Sequence, residues 1–299
     1  MYTSNLYLQK TTDIFGRTGL GIEYGEERIT STNLGQYNRG HKSIFTDSSK
    51  KLNSRLSVGA SARMDDFDGF SEVFTGAANL RFKVSARDSL NLGIAKNIRI
   101  PSFTELYYND PTTIGNANLS EGETVNYQGG YDFKKDGLSL GMALFFREEE
   151  DMIDWVKRSA SQAKWQAENI GEAAVFGVEN YLKAKVNGFL NLESNYTYID
   201  KRLNDIGYLY KYGPNYIRHL ASAILRLDLP FGTQSITLTY KKKPRRDGWF
   251  LFGLRSSYDL NRTSQVFLQV SNLFNVEYQE IEGIPAPGRW IEAGCRFAW

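Results

Sequence analysis

The residues that could carry out chemistry are few and far apart in the sequence. His41 and His219 are the only histidines, and no nucleophile in a G-x-S-x-G setting accompanies either of them, so a hydrolase triad has no support. Cys295 is the only cysteine, so neither a disulfide framework nor a zinc site can be built. These residue types predict a chain that is not an enzyme and that holds no metal or cofactor of its own.

Two short patterns resemble ligand loops but are incomplete. Asp66, Asp68 and Gly69 are spaced like the start of a calcium loop, but the ligands that an EF-hand supplies at later positions are missing, and a turn between strands is the better interpretation. The glycines from Gly19 to Gly25 resemble a phosphate-binding pattern. They lie on one face of a predicted strand and open no helix, so we expect them to face a lumen.

Apolar and polar side chains alternate along much of the 299-residue chain. Rows in which every second residue is apolar start at Leu56, Ala78, Leu138 and Ala221. One face of such a strand could meet lipid and the other a polar lumen, as transmembrane barrel strands require. Each row has about the 9–11 residues that a tilted strand needs to cross a bilayer. The mean hydropathy is -0.44, and without an apolar run of about 18 residues transmembrane helices are excluded.

Five strands are predicted together with the direction of their side chains. The segments are 53–65, 71–85, 137–147, 217–229 and 263–271. The leucines predicted to face lipid are Leu56, Leu80, Leu140, Leu225 and Leu268. The neighbours predicted to face the lumen include Arg55, Arg81, Ser139 and Gln269.

Short and long connections alternate between the predicted strands. Tight-turn residues occupy Thr12-Asp13, Ala86–Asp88, Lys134–Gly137, Asn187-Gly188, Pro230–Thr233 and Asn261-Arg262. Mostly longer segments, richer in Tyr, Asn and Pro, lie near 97–120, 150–163, 202–215, 241–248 and 272–288. Short turns on the periplasmic side and long loops outside are the pattern of outer-membrane barrels, and we count about 15 strands.

Four segments resemble, in the right order, the motifs of TonB-dependent outer-membrane receptors. RIPSFTELYY at 99–108 with GNANLSEGETVNYQGGY at 115–131 resembles their F/R-x-P-x-x-x-E-L-Y … G-N-x-x-L-x-P-E segment, although Gly122 stands where Pro-Glu is usual. ENIGEAAVFGVE at 168–179 is similar to their N-x-G-x-A-x-x-x-G-V-E strand entry, and SNLFNVEYQEIEGIPAPGRW at 271–290 to their N-L-F-D-x-x-Y … G-x-P-x-P-G-R close. Within the superfamily the chain looks most like cobalamin transporters and related siderophore receptors.

The last strand is similar to the assembly signal of this family. Glu292, Gly294, Phe297 and Trp299 have the spacing polar-x-Gly-x-x-aromatic-x-aromatic, with Trp where Phe is commoner at the end. The resemblance implies that Gly294, Phe297 and Trp299 are read by the outer-membrane assembly machinery.

The resemblance implies an all-β, antiparallel transmembrane barrel in the outer membrane of a Gram-negative bacterium, with residues 1–299 as its C-terminal part. About 15 strands is an odd number, whereas a barrel with both ends in the periplasm needs an even one. We therefore expect Met1 on the outer side, about seven strands of a probable 22-stranded barrel upstream, and no pairing between the first strand (2–11) and the last (288–299). The family's signal peptide, TonB box and plug do not precede Met1, and the glycines near Gly21 would leave room beside such a plug.

The function implied by the resemblance is TonB-dependent uptake of cobalamin or an iron–siderophore chelate. The implied partners are the TonB energy-coupling complex, the assembly machinery, the ligand, and a lipid bilayer with lipopolysaccharide. A net charge of +2 gives no general attraction to nucleic acid. A plug-free passive porin, or a structural or adhesive barrel, is the alternative from another class, and a plug and TonB box encoded upstream would separate the two.

Ligand-binding residues are expected in the long loops, because a rigid scaffold projects its binding residues on such segments. Tyrosines there offer rigid amphipathic surfaces for a large flat ligand such as a corrinoid or a chelate. The candidates are Tyr107, Tyr108, Tyr208, Tyr210 and Tyr212, with Tyr216 beside them. Arg245 and Arg246 could contact an anionic ferric chelate or a lipopolysaccharide phosphate. The alternatives are an aromatic interface belt for the tyrosines and a solvated hairpin tip for the arginines.

Overall fold

The computed structural model describes residues 2–204, 207–213, 215–281 and 283–297, and their regular secondary structure is almost entirely β. Met1 and Trp299 lie outside the described residues. In chain order the elements are β1 (Tyr2–Thr12), β2 (Gly16–Ser31), β3 (Gly35–Lys51), β4 (Leu56–Phe67), β5 (Val73–Lys83), β6 (Asp88–Arg99), α1 (Phe103–Tyr107), β7 (Thr113–Ile114), β8 (Gly122–Lys135), β9 (Leu138–Glu150), β10 (Ile153–Lys157), β11 (Trp165–Asn169), β12 (Ala173–Lys185), β13 (Leu190–Leu203), β14 (Leu209–Tyr210), β15 (His219–Leu229), β16 (Gly232–Lys242), β17 (Trp249–Asp259), β18 (Ser264–Ser271) and β19 (Trp290–Phe297). No helix in the described ranges is long and apolar enough to cross a membrane.

Within the described residues the main sheet has 15 strands, in the order β1-β2-β3-β4-β5-β6-β8-β9-β12-β13-β15-β16-β17-β18-β19. This number confirms the expected strand count, and the five segments predicted with their faces correspond to β4, β5, β9, β15 and β18. The predicted tight turns join consecutive strands, as at Asp136-Gly137 between β8 and β9. β1 and β19 stand at opposite ends of the order, so in the described part of the chain they are not neighbours, as expected.

The chain divides into two compact units. Unit 1 contains 1–130, 145–176 and 201–214, and unit 2 contains 131–144, 177–200 and 215–299. His41 belongs to unit 1 and His219 to unit 2.

Unit 1 has one apolar and one polar sheet face. Directly paired residues share a face, and one row that crosses five strands consists of Leu6, Ile22, Ile44, Met64 and Phe74. All five side chains are exposed. By the two-residue period Leu56 and Leu80 lie on this face, and Arg81 lies on the other. An exposed apolar face of this extent is what a lipid-facing barrel wall requires.

The polar face of unit 1 carries a linked charge network. Arg63 Nη2 donates to Glu23 Oε1 over 2.7 Å and to Ser43 Oγ over 2.6 Å. Its Nε donates to both oxygens of Asp65 over 2.9 Å, and His41 Nε2 lies 3.1 Å from Glu23 Oε1. Pairing of this kind offsets the cost of removing these partly buried charges from water on the face that points away from lipid.

Unit 2 repeats the division between faces. One row, Leu225, Ile236, Leu254, Val270 and Ile291, is wholly apolar. The adjacent row on the opposite face is Arg226, Ser235, Arg255, Gln269 and Glu292. The predicted directions of Leu225, Leu268 and Gln269 are confirmed by this register, and in β9 exposure alternates so that Leu140 lies on the side of Met142 and opposite Ser139.

Glycines on the polar face accommodate aromatic rings from neighbouring strands. A Cβ added at Gly19, Gly21 or Gly25 would lie 2.0–2.2 Å from the side chain of Tyr7, Phe45 or His41, respectively. Rings of the same sheet therefore lie directly over these glycines, and the expectation that the glycines leave room beside a plug stays a prediction.

The long connections of unit 1 are ordered against one another. β14, β10, β11 and β7 form a second sheet in that order, and we call this the loop sheet. Its apolar core is the buried cluster Leu106, Leu119, Trp155 and Ala167. Asp66 lies in β4, which ends at Phe67, and the expected turn follows at Asp68 and Gly69. Asp68 accepts a hydrogen bond from the Gly40 amide, and Gly69 has a φ of 84°.

Candidate functional site

The segment that resembles the first family motif forms a capped helical turn. Ser102 is the N-cap of α1 and accepts a hydrogen bond from the Glu105 amide, while Glu105 accepts from the Ser102 amide over 2.8 Å. This reciprocal arrangement is a capping box, which satisfies free amides at a helix start. Arg99 pairs with the same carboxylate. The polar residues of RIPSFTELYY thus fix the shape of their own segment.

Arg39 anchors this segment to the barrel wall. It is 7% exposed, donates to the Pro101 carbonyl over 2.8 Å and pairs with Glu27 over 2.7 Å. Its guanidinium lies 5.0 Å from the ring centre of Phe103 and 5.6 Å from that of Phe70. A buried arginine so placed combines ionic, hydrogen-bond and cation–π contacts.

The GNANL segment closes back onto α1. The Asn116 amide donates to the Glu105 carbonyl over 2.8 Å, and the Gly115 amide donates to the Tyr108 carbonyl over 2.7 Å. A Cβ on Gly115 would lie 2.8 Å from backbone atoms of Glu105 and Leu106, so only glycine fits. Leu119 then enters the apolar core.

Asn169, in the ENIG segment, ties two further connections to the end of β11. Its side-chain amide donates to the carbonyls of Ser120 (3.2 Å) and Asp151 (2.9 Å), and its Oδ1 accepts from the Ser120 amide over 3.0 Å. Three backbone groups from distant parts of the sequence are therefore held by one side chain.

The last motif contains an equivalent clamp in unit 2. Asn272 has a φ of 48° and is 6% exposed. Its side chain accepts from the Val276 amide and donates to the Val276 carbonyl, each over 2.9 Å. Asn275 Oδ1 accepts from the Arg289 amide over 2.8 Å, and a Cβ on Gly288 would lie 2.5 Å from that oxygen. The motif residues in NLFN and PGR thus hold the connection between β18 and β19.

Two of the predicted ligand residues pack inside unit 1. The Tyr107 ring stacks on Tyr37 with 3.7 Å between ring centres, and both Tyr107 and Tyr108 pack against the apolar core. Tyr108 Oη donates to Asp110, and backbone hydrogen bonds, above all from Thr112, lower the pKa of the Asp110 carboxyl. The surfaces of these two tyrosines are mostly used within the fold, and their predicted ligand role stays a prediction.

The loop sheet carries two lysines on aromatic rings. Lys157 Nζ lies 5.0 Å from the centre of the Trp165 ring, and Lys211 Nζ lies 5.9 Å from that of Trp155 and 5.5 Å from that of Tyr212. We call these five residues the lysine platform. Within the described residues neither lysine has a carboxylate partner. Their positive charges are therefore available to an anion.

The two platform lysines lie on the same side of the loop sheet. Lys157 pairs with Leu209, and the Lys211 amide donates to the Trp155 carbonyl, so they are diagonal neighbours across the ladder with Cβ atoms about 7–8 Å apart. The sequence analysis missed both lysines. The only signal for them is a lysine close to aromatics in WVKR and YKY.

Of the remaining candidate tyrosines, Tyr212 belongs to this platform, and Tyr208 and Tyr210 flank it. Arg158 lies 5.5 Å from the ring centre of Tyr208 and pairs with Glu168 through two 2.9 Å contacts. Tyr210 pairs with Val156 in the ladder. Tyr212 is 56% exposed, the most open of the described candidates. The structure thus brings Tyr208, Tyr210 and Tyr212 together on β14 and its flanks.

Asp154 holds the β14 segment against β10. Its carboxylate accepts from the Gly213 amide over 2.5 Å and from the Trp155 amide over 2.7 Å. Burial raises the pKa of the Asp154 carboxyl above its ordinary value, although these amides act in the opposite direction. The Asp154 carboxyl therefore takes up a proton at a less acidic pH than an ordinary aspartate does.

Arg245 and Arg246 belong to a separate site in unit 2. They line a cavity of about 830 Å³ together with Arg218, Lys242, Lys243 and Trp249. Arg245 has a φ of 57°, in the left-handed region. We call this space the basic cavity. It is consistent with an anion site and does not belong to the loop sheet.

The proposed assembly residues are placed at the last described strand. Phe297 is 64% exposed on the apolar face. A Cβ on Gly294 would lie 2.8 Å from the Phe267 ring. Trp299 lies outside the described residues. Among the other tryptophans, Trp155 is in the loop core, Trp249 stacks on Tyr278, and Trp290 is exposed.

A comparison with protein-family models finds one match over most of the chain. The model of the TonB dependent receptor-like β-barrel matches residues 2–273.

Three similar proteins are receptors. The ferrienterobactin receptor of Escherichia coli is 23% identical over 211 residues, covering 62% of this chain and 28% of that protein. The ferric enterobactin receptor of Pseudomonas aeruginosa is 22% identical over 276 residues, covering 78% of this chain and 37% of that protein. The crystal structure of the siderophore receptor PirA from Pseudomonas aeruginosa superposes with a TM-score of 0.83 at 18% identity, covering 99% of this chain and 54% of that chain. The chain thus spans about half of the solved relative and about a third of the curated ones.

Proposed function

The chain belongs to the TonB-dependent receptor β-barrel family, and from that membership we propose that it is the ligand-capturing part of an outer-membrane receptor for an anionic ferric siderophore. Members of this family are outer-membrane proteins, and the relatives found are receptors. The proposal therefore favours a receptor over an enzyme.

The observation that carries this proposal is the lysine platform. Lys157 and Lys211 present positive charge on Trp and Tyr rings, and a catecholate ferric chelate combines negative charge with aromatic rings. Ammonium groups without a carboxylate partner can form charge-assisted hydrogen bonds to such a ligand, and the exposed Tyr212 ring can stack on it.

A ferric chelate is preferred to cobalamin as the cargo. Both curated relatives are named for ferric enterobactin, and cobalamin offers a corrin ring without a comparable concentration of negative charge. A passive porin remains the second candidate, but it would have no use for a structured loop sheet with unpaired cations.

The full receptor is expected to work in three steps. The loop sheet captures the chelate, the TonB energy-coupling complex displaces a plug, and the chelate passes along the polar face of the barrel wall. Insertion of the barrel by the outer-membrane assembly machinery through Gly294, Phe297 and Trp299 is part of the same proposal.

Binding to isolated outer membranes tests the platform. The double variant Lys157→Gln, Lys211→Gln should bind ferric enterobactin at least tenfold more weakly, since a hydrogen bond to a charged group contributes about 1.5–3 kcal/mol. The matched control Lys134→Gln, Lys135→Gln changes the same charge at the end of β8, beside a short turn, and should bind like the parent. Equal binding by both variants, or tighter binding of cyanocobalamin than of ferric enterobactin by the parent, would contradict the proposal.

A further inference from the structure

An aromatic cluster marks one end of the apolar face in unit 2. Tyr196 Oη lies 3.0 Å from His219 Nδ1, and the Tyr198 and His219 rings are 5.1 Å apart. Tyr240 and Phe250 lie 4.6 Å apart. The register places all five residues on the same face as Leu225 and Ile236. Aromatic residues at the end of a lipid-facing wall are typical of the membrane–water interface.

The basic cavity begins where this aromatic cluster ends. His219 pairs directly with Lys242, so the two share the apolar face, and both line the cavity. A lysine at this position can extend along apolar surface and place its ammonium at the level of lipid headgroups. The cavity is thus continuous with the surface that meets lipid.

The charges that line the cavity are strongly unbalanced. Among the described residues that line it, five are lysine or arginine and Asp247 alone is acidic. Arg218 pairs with Asp200 over 2.9 Å, and Lys243 Nζ donates to Asn215 over 2.6 Å, so these two side chains are held in place. Within the described ranges Lys242 and Arg245 have no carboxylate partner.

We propose that the basic cavity binds the phosphate groups of an anionic glycolipid of the outer leaflet, with lipid chains against the aromatic cluster. A basic pocket next to an aromatic belt is the arrangement that recognises charged lipid headgroups. A soluble chelate has no alkyl chains to cover the adjoining apolar face, whereas a lipid occupies both surfaces at once. The site is independent of the lysine platform, which lies in the other unit.

The test compares two triple variants of the whole protein purified in detergent from outer membranes. Lys242→Gln, Arg245→Gln, Arg246→Gln removes three cavity charges. Lys134→Gln, Lys135→Gln, Arg262→Gln removes three charges at or beside short turns, two at the end of β8 and one between β17 and β18. The probes are bisphosphorylated lipid A, its dephosphorylated form, inorganic phosphate and ferric enterobactin. Each cation near an anionic lipid surface contributes about a fivefold change in affinity, so the cavity variant should bind lipid A on the order of a hundredfold more weakly.

Each arm of the comparison supports or overturns the assignment. The control variant should bind lipid A like the parent, and the parent should bind the dephosphorylated lipid far more weakly. Equal loss in both triple variants, or equal binding of the two lipid forms, would refute a phosphate site. Displacement of lipid A by inorganic phosphate at equal concentration, or by ferric enterobactin, would instead assign the cavity to a soluble ligand and overturn the lipid assignment.

Discussion

Replacing Asn169 by alanine should release two connections of unit 1 at once. The substitution removes hydrogen bonds of 3.2 and 3.0 Å to Ser120 and one of 2.9 Å to the Asp151 carbonyl. Each hydrogen bond contributes about 0.5–1.5 kcal/mol net, so the local stability of the loop sheet should fall by roughly 2–4 kcal/mol. The barrel strands do not depend on these bonds and should keep their stability.

Limited proteolysis of isolated outer membranes measures this loss. A local opening that becomes about 2–4 kcal/mol more favourable should raise the cleavage rate within the loop sheet by a factor of roughly 30 to 800 when cleavage is slower than reclosing. The matched control is Asn187→Ala, because Asn187 Oδ1 accepts only from the Phe189 and Leu190 amides of its own turn. If both variants are cleaved at the parent's rate, or if Asn169→Ala accelerates cleavage in the barrel strands equally, the clamp does not act as argued.

Three further predictions test the wall, the glycines and the Asp154 clamp. Arginine at Leu140 should destabilise the barrel by about 2–4 kcal/mol near the midplane and arginine at Ser139 much less, and equal losses in detergent-resistance gels would reject the assigned faces. Gly21→Ala should lower the yield of folded protein in the same gels because its Cβ would lie 2.2 Å from the Phe45 ring, and combining it with Phe45→Ala should restore the yield. Burial raises the pKa of the Asp154 carboxyl, so the stability that this group adds to the loop sheet is present at low pH and is lost as the pH rises through that pKa. Loop proteolysis should therefore become faster over that pH range in the parent. The variant Asp154→Asn, which does not titrate, should lack this increase.

The strands of the main sheet and the directions of their side chains could be predicted because the sequence pattern that specifies them is local. A two-residue alternation that repeats over a strand specifies both the strand and its faces, and a tight turn fixes where the next strand begins. This is why the direction of Leu225 and Gln269 was predicted correctly without knowing either neighbour.

The contacts between side chains on the polar face, and the loop sheet itself, could not be predicted from a local pattern of residues. Gly21 was visible as a glycine, but the Phe45 ring beside it is known only from the register of β2 against β3. β7 and β14 have two residues each and β10 has five, which is too short to show a period. Trp155 and Leu106 meet in one core although 48 residues separate them in the sequence, so no local pattern indicates that the long connections form a sheet.

The family was recognised by one set of residues, and the proposed contacts to the cargo are made by another. Ser102, Asn169 and Asn272 hydrogen-bond to backbone groups, so they fix the positions of the connections whatever ligand those connections bind. Lys157 and Lys211 lie outside the motifs, on segments whose positions the clamps determine. A relative could therefore keep every motif and still take a different chelate. Resemblance of the motifs identifies the scaffold, whereas under the proposed function the cargo is selected by the charges and rings placed on the loop sheet.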